Sequence, residues 1–195
     1  MKKCSIEGCT NRSNTKGYCV THHRMLKLDG VIHRTNRDPN EMIHITPYYE
    51  IHLYSSKGVT IGKTYIDEVD YLTIKEHKWY LGQRGYATTR INNKLVLLHQ
   101  LLVGKQIDHK DRDPLNNRRS NLRVCTQKQN THNSGPTKNS SSRYKGVSRI
   151  RNSEKWEARI KDIHLGRFSS EKEAAIVYNI AAIEHFGDYA YLNPI

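Results

Sequence analysis

Hydrophobic residues fall into short runs separated by polar stretches, and their spacing changes along the chain. Between residues 43 and 98 the runs are rich in β-branched and aromatic residues, and turn-forming pairs such as Lys57-Gly58 and Asn92-Asn93 interrupt them. Short runs bounded by turn residues are typical of β-strands. We therefore predict a small antiparallel sheet of structural role here, with strands over residues 49–54, 59–61, 86–91 and 95–98.

The C-terminal region has a different pattern. Alternation through Trp156, Ala158 and Ile160 predicts a strand with one packed face, while Lys155, Glu157, Arg159 and Lys161 point to the other face. Ser170 and Glu173 then form a capping-box pattern that predicts the start of a helix. The apolar stripe of this helix comprises Ala174, Val177, Tyr178, Ala181 and Ala182. This region is predicted to be a sheet covered by one helix.

Two polar stretches read as linkers, residues 29–41 and residues 134–142. They predict an N-terminal module over 1–28, a central domain over 42–133 whose core lies at about 99–133, and a C-terminal domain over 143–195. Strands and helices are mixed along the chain without a repeating order. The predicted fold class is therefore α+β.

Composition narrows the possible functions. The chain has 195 residues, a formal net charge of +13 and a mean hydropathy of −0.79. Only 36% of residues are hydrophobic, which favours several small modules over one large core. The absence of long apolar runs predicts a cytoplasmic protein. Residues 135–167 hold nine basic and three acidic side chains. This excess predicts a polyanionic partner, with nucleic acid as the first candidate.

The N-terminal region clusters metal-binding residue types. Cys4, Cys9, Cys19 and His22 lie within 19 residues, in the pattern Cys-x4-Cys-x9-Cys-x2-His. Thiolates and imidazole are the ligands of tetrahedral structural zinc, and Gly8 and Gly17 permit the turns that would bring the two pairs together. His23 is an alternative fourth ligand. We predict a structural zinc site, and metal binding would supply most of the folding free energy of this module.

Residues 106–130 hold the most informative segment. They predict a strand, a polar loop, a second strand and then a helix. Thr126 and Gln129 form a capping-box pattern, so the helix is predicted to begin at about Gln127 with Asn130 in its first turn. Asp108 and His109 end the first strand, where oxygen ligands from strand and helix would converge.

This segment resembles the HNH nuclease motif, in which two strands and a helix surround a metal. The resemblance implies that Asp108 and Asn130 bind a divalent cation such as Mg²⁺, and that His109 is the general base. It also implies that Asn121 ties the loop between the strands and thereby orients the histidine. Arg118, Arg119 and Arg123 lie beside the motif and are predicted to bind flanking phosphates.

Residues 144–193 resemble the plant ethylene-response-factor domain of the APETALA-two type, which is also fused to HNH nucleases in phages and mobile elements. The matching features are Tyr144-Lys145-Gly146-Val147, the Trp156, Ala158 and Ile160 alternation, Leu165-Gly166, Tyr178-Asn179 and Ala190-Tyr191-Leu192-Asn193. The resemblance implies a three-stranded sheet that enters the major groove, with DNA contacts from Lys145, Arg149, Arg151, Arg159 and Lys161. Ser148 stands where the plant domains have Arg, so their target sequence does not transfer, and a sheet that binds backbone phosphate alone is the alternative.

Together these features predict a metal-dependent endonuclease that acts on double-stranded DNA at a preferred site. The expected type is a phage or mobile-element homing enzyme, nicking or cutting both strands, and a monomer is favoured. The alternative is a DNA-binding regulator on a degenerate HNH scaffold. An RNA-binding protein is disfavoured, because RRM and KH motifs are missing from the sequence.

Overall fold

The computed structural model describes residues 2–6, 9, 11–31 and 38–195. The turn predicted at Gly8 and residues 32–37 of the predicted linker at 29–41 lie outside these residues. The chain divides into two compact units. One comprises Met1–Gly104 with Asp113–Leu122, and the other comprises Lys105–Arg112 with Arg123–Ile195.

The first unit combines a short N-terminal helix with two small sheets. Its elements are α1 (Val20–Asp29), β1 (Met42–Ile45), β2 (Tyr48–Tyr54), β3 (Thr60–Asp67), α2 (Tyr71–Ile74), β4 (Tyr80–Leu81), β5 (Ala87–Ile91), β6 (Lys94–Leu97) and α3 (Leu98–Val103). Helix α1 ends at Gly30, whose φ of 68° provides the left-handed cap that glycine adopts without strain. No helix was predicted from the sequence at this position.

Two antiparallel three-stranded sheets form the middle of the first unit, in the orders β1-β2-β3 and β4-β5-β6. The single predicted sheet was therefore too simple, because a short helical stretch at 68–74 separates the two sets of strands. The core beneath them is formed by Ile51, Leu53, Ile66, Ile74, Trp79, Ala87 and Leu98. Asn40 ties this core to the preceding chain, since it donates to the Trp79 carbonyl oxygen and accepts from the Trp79 amide.

The second unit begins with the predicted strand, strand and helix arrangement. Its elements are β7 (Ile107–His109), β8 (Leu122–Val124), α4 (Gln127–Asn133), β9 (Val147–Arg149), β10 (Trp156–Ile160), β11 (Ile163–Phe168) and α5 (Glu171–Phe186). Strands β7 and β8 pair, and both halves of the predicted capping box of α4 are present. A capping box satisfies two backbone donors, which explains why the helix begins at Gln127 as predicted.

The C-terminal part of the second unit is a three-stranded antiparallel sheet, ordered β11-β10-β9, covered by α5. Ala158 and Ile160 are buried on the packed face, and Ala174, Ala175, Tyr178, Ala181 and Ala182 are buried on the helix. The predicted stripe is confirmed except that Ala175 belongs to it and Val177 is half-buried. Small alanines permit the close approach of helix and sheet.

The start of α5 differs in detail from the sequence prediction. Ser170 is the N-cap, as predicted, and its hydroxyl oxygen accepts from the Lys172 amide. Glu173 does not complete the predicted reciprocal box. Its carboxylate instead faces the Ser169 hydroxyl at 3.5 Å. A neighbouring hydroxyl therefore competes for the carboxylate that the sequence pattern assigned to the cap.

The compact units do not follow the predicted domain limits. Residues 113–122 pack in the first unit, because the Tyr65 amide donates to the Leu115 carbonyl oxygen and the Asn117 amide donates to the Tyr65 carbonyl oxygen. The rest of the β7-β8-α4 core belongs to the same unit as the C-terminal sheet. The module boundaries at 28, 42, 133 and 143 stay a prediction.

Among the described residues, the longest helix is α5, and none is long and apolar enough to cross a membrane.

Candidate active site and metal centre

Four candidate metal ligands converge in the N-terminal region. The ligand atoms of Cys4, Cys9, Cys19 and His22 all lie within 4.8 Å of one another, and all four residues are buried. His22 Nδ1 is 3.3 Å from Cys4 Sγ and 3.4 Å from Cys19 Sγ, and the Cys9 and Cys19 sulfurs are 4.0 Å apart. Three thiols and one imidazole at such separations fit the tetrahedral ligand shell of zinc. The fourth member is His22 rather than His23.

The surroundings of this Cys3His cluster favour a thiolate ligand. Burial raises the pKa of the Cys4 thiol, but hydrogen bonds with His22 and with the backbone of Ile6 and Cys19 outweigh it and lower the pKa to about 6. Burial raises the pKa of Cys9. On its far side, His22 Nε2 lies 3.4 Å from the buried Asp38 carboxylate. A carboxylate behind a histidine fixes its tautomer and its orientation towards a metal.

Asp108 is a buried carboxylate held from two sides. It lies in β7 with 5% exposure. Arg123 Nε and a second guanidinium nitrogen both donate to Oδ2, at 2.8 and 2.5 Å. Asn133 Nδ2 lies 3.0 Å from each carboxylate oxygen and 2.9 Å from the His109 carbonyl oxygen. Because three donors fix this carboxylate, its orientation is set before any ligand binds.

Hydrogen bonds are distributed unequally over the two carboxylate oxygens of Asp108. Oδ2 receives both guanidinium contacts, whereas Oδ1 receives only the Asn133 contact among the hydrogen bonds of the described residues. Asn130 is half-buried on α4, and no hydrogen bond of the described residues uses its side-chain amide. A carboxylate oxygen and an amide oxygen are hard ligands that suit Mg²⁺. The donor set of Asp108 and Asn130 is compatible with such an ion.

His109 follows Asp108 in β7 and is buried. Its backbone is fixed, since the carbonyl oxygen accepts from the Arg112 amide at 2.9 Å and from Asn133. Strand β7 thus presents an acid and an imidazole on consecutive residues. Their catalytic roles stay a prediction.

Three further predicted site residues, Arg118, Arg119 and Asn121, lie in the segment 113–122. This segment packs within the first unit. Asn121 is buried and its amide donates to the Asn116 carbonyl oxygen at 2.8 Å, a contact within the loop that it was predicted to tie. Arg118 pairs with Asp67 at 3.0 Å and Arg119 with Asp70 at 2.7 Å. The hydrogen bond with Asp70 raises the pKa of Arg119. Both arginines therefore have carboxylate partners, and phosphate binding by them stays a prediction.

The predicted DNA contacts of the C-terminal module separate into two groups. Arg149, Arg151, Arg159 and Lys161 are exposed, and Arg159 Nε donates to Glu157 at 2.6 Å. By register, Arg149 lies opposite Trp156 and so shares the face that α5 covers. Lys145 is different, because its Nζ donates to the carbonyl oxygens of Thr131, His132 and Ser134 at the end of α4. The ammonium group of Lys145 is therefore bonded to carbonyl oxygens of the protein itself.

Two residues beside the candidate sites were missed by the sequence interpretation. Asn133 lies three residues after Asn130, so both project from the same side of α4, and the Asn-x-x-Asn spacing was a readable signal. Asp38 was hidden in a polar stretch taken as a linker. Its contact with His22 depends on tertiary structure, and no local pattern marks it.

Known proteins resemble this chain over the segment that holds Asp108 and His109. A family model described as HNH endonuclease matches residues 103–132. A viral protein described as an uncharacterized HNH endonuclease, from Acanthamoeba polyphaga mimivirus, is 34% identical over 134 residues, which is 63% of this chain and 70% of that protein.

Plant proteins match over a shorter stretch. Two AP2-like ethylene-responsive transcription factors of Arabidopsis thaliana are 43% and 47% identical over 58 residues, or 27% of this chain. The chain spans only 17% and 10% of the length of these two proteins. No solved structure matches significantly.

Proposed function

The chain belongs to the HNH endonuclease family, and from that membership we propose that it is a metal-dependent enzyme that hydrolyses phosphodiester bonds of double-stranded DNA at a preferred site. The observation that carries the proposal is the buried Asp108 carboxylate, which is fixed by Arg123 and Asn133 beside His109 within the segment that matches the family. A preset carboxylate next to an imidazole is suited to hydrolysis of an anionic ester.

His109 is assigned the general base. A phosphodiester repels a nucleophile, so the attacking water must lose its proton as the bond to phosphorus forms, and the neutral imidazole accepts that proton near pH 7. The backbone hydrogen bonds of His109 with Arg112 and Asn133 hold the strand on which the ring is carried. Asn121 is assigned a positioning role through its bond to Asn116.

Asp108 and Asn130 are the residues that would hold the divalent cation, with Mg²⁺ as the first candidate. When bound, the ion supplies positive charge beside the leaving 3′ oxygen. Arg123 and Asn133 keep the Asp108 carboxylate oriented for this contact.

The C-terminal sheet is assigned the choice of DNA site. Its exposed Arg151, Arg159 and Lys161 form the charged surface, and its sequence resembles plant DNA-binding domains. A nuclease core joined to a sequence reader fits a homing-type enzyme. The N-terminal Cys3His cluster is assigned a structural Zn²⁺, separate from the catalytic ion.

The test is cleavage of supercoiled plasmid by the full chain with Mg²⁺, with EDTA, and by the His109→Ala variant. Loss of a general base lowers the cleavage rate by about 10²- to 10⁴-fold, and DNA affinity should be nearly unchanged. His44→Ala is the matched control, because His44 is an exposed histidine on β1, a strand that carries none of the predicted site residues. The ratio of nicked to linear product reports whether one or both strands are cut.

Cleavage by His109→Ala at the wild-type rate would defeat the assignment of the base. If the wild type binds DNA but cuts none with Mg²⁺, Mn²⁺ or Ca²⁺, the protein is a DNA-binding regulator on an HNH scaffold.

A further inference from the structure

Arg123 connects the candidate catalytic carboxylate to the end of the C-terminal module. Its guanidinium holds Asp108 on one side and lies over the Tyr189 ring on the other, 4.2 Å from the ring centroid. It also donates to the Asp188 carbonyl oxygen. Its side chain is only 12% exposed. The arginine that orients Asp108 is therefore itself positioned by the turn at 187–189.

The same turn is fastened directly to strand β8. The Tyr189 hydroxyl donates to the Val124 carbonyl oxygen at 2.9 Å, next to Arg123 in the chain. This bond holds the ring beneath the guanidinium, where a planar cation stacks favourably on an aromatic face. Tyr189 thus supports Arg123 both through its ring and through its hydroxyl.

The C-terminal module also contacts the C-terminal end of helix α4. Lys145 Nζ donates to the three carbonyl oxygens that end the helix, and the Tyr191 amide donates to the His132 carbonyl oxygen at 3.3 Å. The rings of His132 and Phe186 stack with centroids 3.9 Å apart. A lysine at a helix C-terminus satisfies carbonyl groups that have no partner within the helix. The helix that carries Asn130 and Asn133 is therefore held at its end by the C-terminal module.

We propose that residues 187–191 of the C-terminal module are part of the nuclease site, with Tyr189 as a positioning residue that orients Asp108 through Arg123. This proposal rests on the proposed function for the identity of the site. Under it, the DNA-reading module and the catalytic carboxylate are connected through these contacts as well as through the predicted linker at 134–142.

The experiment compares Tyr189→Ala with Tyr189→Phe in the full chain. Tyr189→Ala removes the stacked ring, whereas Tyr189→Phe removes only the hydroxyl. Neither substitution changes the net charge near Asp108. Leu192→Ala is the control, because Leu192 is exposed in the same segment. The measurements are plasmid cleavage, DNA affinity in EDTA, thermal stability, and Mn²⁺ affinity from the paramagnetic resonance of free Mn²⁺, with Asp108→Asn to locate the bound ion.

Loss of a residue that supports a metal ligand typically costs about 10- to 100-fold in metal affinity or activity. We expect Tyr189→Ala to weaken Mn²⁺ binding and slow cleavage by at least about 10-fold, with DNA affinity unchanged. Tyr189→Phe should lie between wild type and Tyr189→Ala, because it keeps the ring but loses the hydroxyl bond to Val124, and Leu192→Ala should stay close to wild type. In an Arg123→Ala background, Tyr189→Ala should have no further effect on cleavage, since the tyrosine acts through the arginine.

The proposal is overturned if Tyr189→Ala leaves Mn²⁺ affinity and cleavage unchanged, or if its effect on cleavage adds in full to that of Arg123→Ala. A lower melting temperature alone would mark Tyr189 as merely structural and would also overturn it. Failure of the proposed function looks different. In that case the wild type binds Mn²⁺ at Asp108 but cuts no DNA, and the Mn²⁺ comparison still decides the role of Tyr189.

Discussion

The N-terminal Cys3His module and the C-terminal module are both small, yet they are held together by different means. In the first, the buried residues Cys4, Cys9 and Cys19 pack only with Ile6 and Tyr18 among the described residues. In the second, a helix covers a sheet and two clusters of apolar side chains lie between them. We therefore expect the first segment to need a metal to fold, whereas a helix packed on a sheet does not.

Removal of zinc should have the largest effect on stability, and it should unfold one module while the other stays folded. Structural zinc contributes about 10–16 kcal/mol of apparent binding free energy in small domains, so a chelator should unfold residues 2–31 and leave residues 144–193 folded. Amide hydrogen exchange measured by peptide reports the two regions separately. Cys19→Ser should have the same effect as the chelator. Cys125→Ser is the control and should retain one zinc, because Cys125 lies outside the cluster. If the amides of residues 2–31 stay protected from exchange after chelation, the module does not depend on zinc for its fold.

Gly146→Ala should destabilise the C-terminal module directly. Gly146 has a φ of 74°, and an added Cβ would overlap the Tyr178 ring and lie 2.6 Å from the Arg159 carbonyl oxygen. Overpacking of this kind, added to a left-handed backbone, should cost about 3 kcal/mol or more of unfolding free energy. Urea denaturation followed by fluorescence measures the loss.

Gly187→Ala provides the matched control. Its φ is also positive, at 53°, but nothing lies within 4 Å of the added Cβ. Only the backbone cost of about 1–3 kcal/mol should appear, because a φ of 53° with a ψ of −131° is a conformation that few residues other than glycine adopt. Equal losses in the two variants would show that crowding against Tyr178 is unimportant.

Lys145→Ala should lower stability without a matching loss of DNA affinity. Burial lowers the pKa of Lys145, and its ammonium group donates to three carbonyl oxygens at the end of α4. Hydrogen bonds from a charged group contribute about 1.5–3 kcal/mol, which is the expected loss of unfolding free energy. Binding to a DNA duplex in 0.1 M salt is the second measurement. Unchanged stability with weaker DNA binding would return Lys145 to the DNA contacts predicted from the sequence.

Arg159→Ala should weaken DNA binding while changing stability least of all these variants. Arg159 is exposed, and its pair with Glu157 lies at the surface, so the unfolding free energy should change by less than about 0.5 kcal/mol. If Arg159 binds a phosphate, the slope of log affinity against log salt should fall by about 0.9. A slope equal to that of wild type would remove Arg159 from the DNA-binding surface.

Local patterns predicted the parts of the molecule that depend on neighbouring residues. Thr126 and Gln129 are three residues apart, so their capping box and the start of α4 were readable from the sequence. The alternation at Trp156, Ala158 and Ile160 similarly predicted the packed face of a strand. The Cys and His spacing predicted a cluster that the structure contains.

Contacts between distant residues were not predictable in this way. Asp38 meets His22, Asn133 meets Asp108, and Lys145 meets the end of α4 only after the chain has folded. Arg123 was predicted to bind phosphate because it lies beside the HNH-like motif, and Lys145 was predicted to contact DNA because of the resemblance to the plant domains. A positive charge is equally suited to a carboxylate or to a row of carbonyl oxygens, and sequence alone does not choose between them.

The stacking of Tyr189 on Arg123 also bears on when the protein becomes active during its synthesis. Tyr189 follows Val124 by 65 residues, so the ribosome must translate that much further before the ring can support the arginine. At about 5–20 residues per second, this interval is on the order of 3–13 s. During that time a nascent chain already carries Asp108 and His109 without the support around Arg123. A nuclease with this order of assembly would complete its cutting site only once its DNA reader had been made.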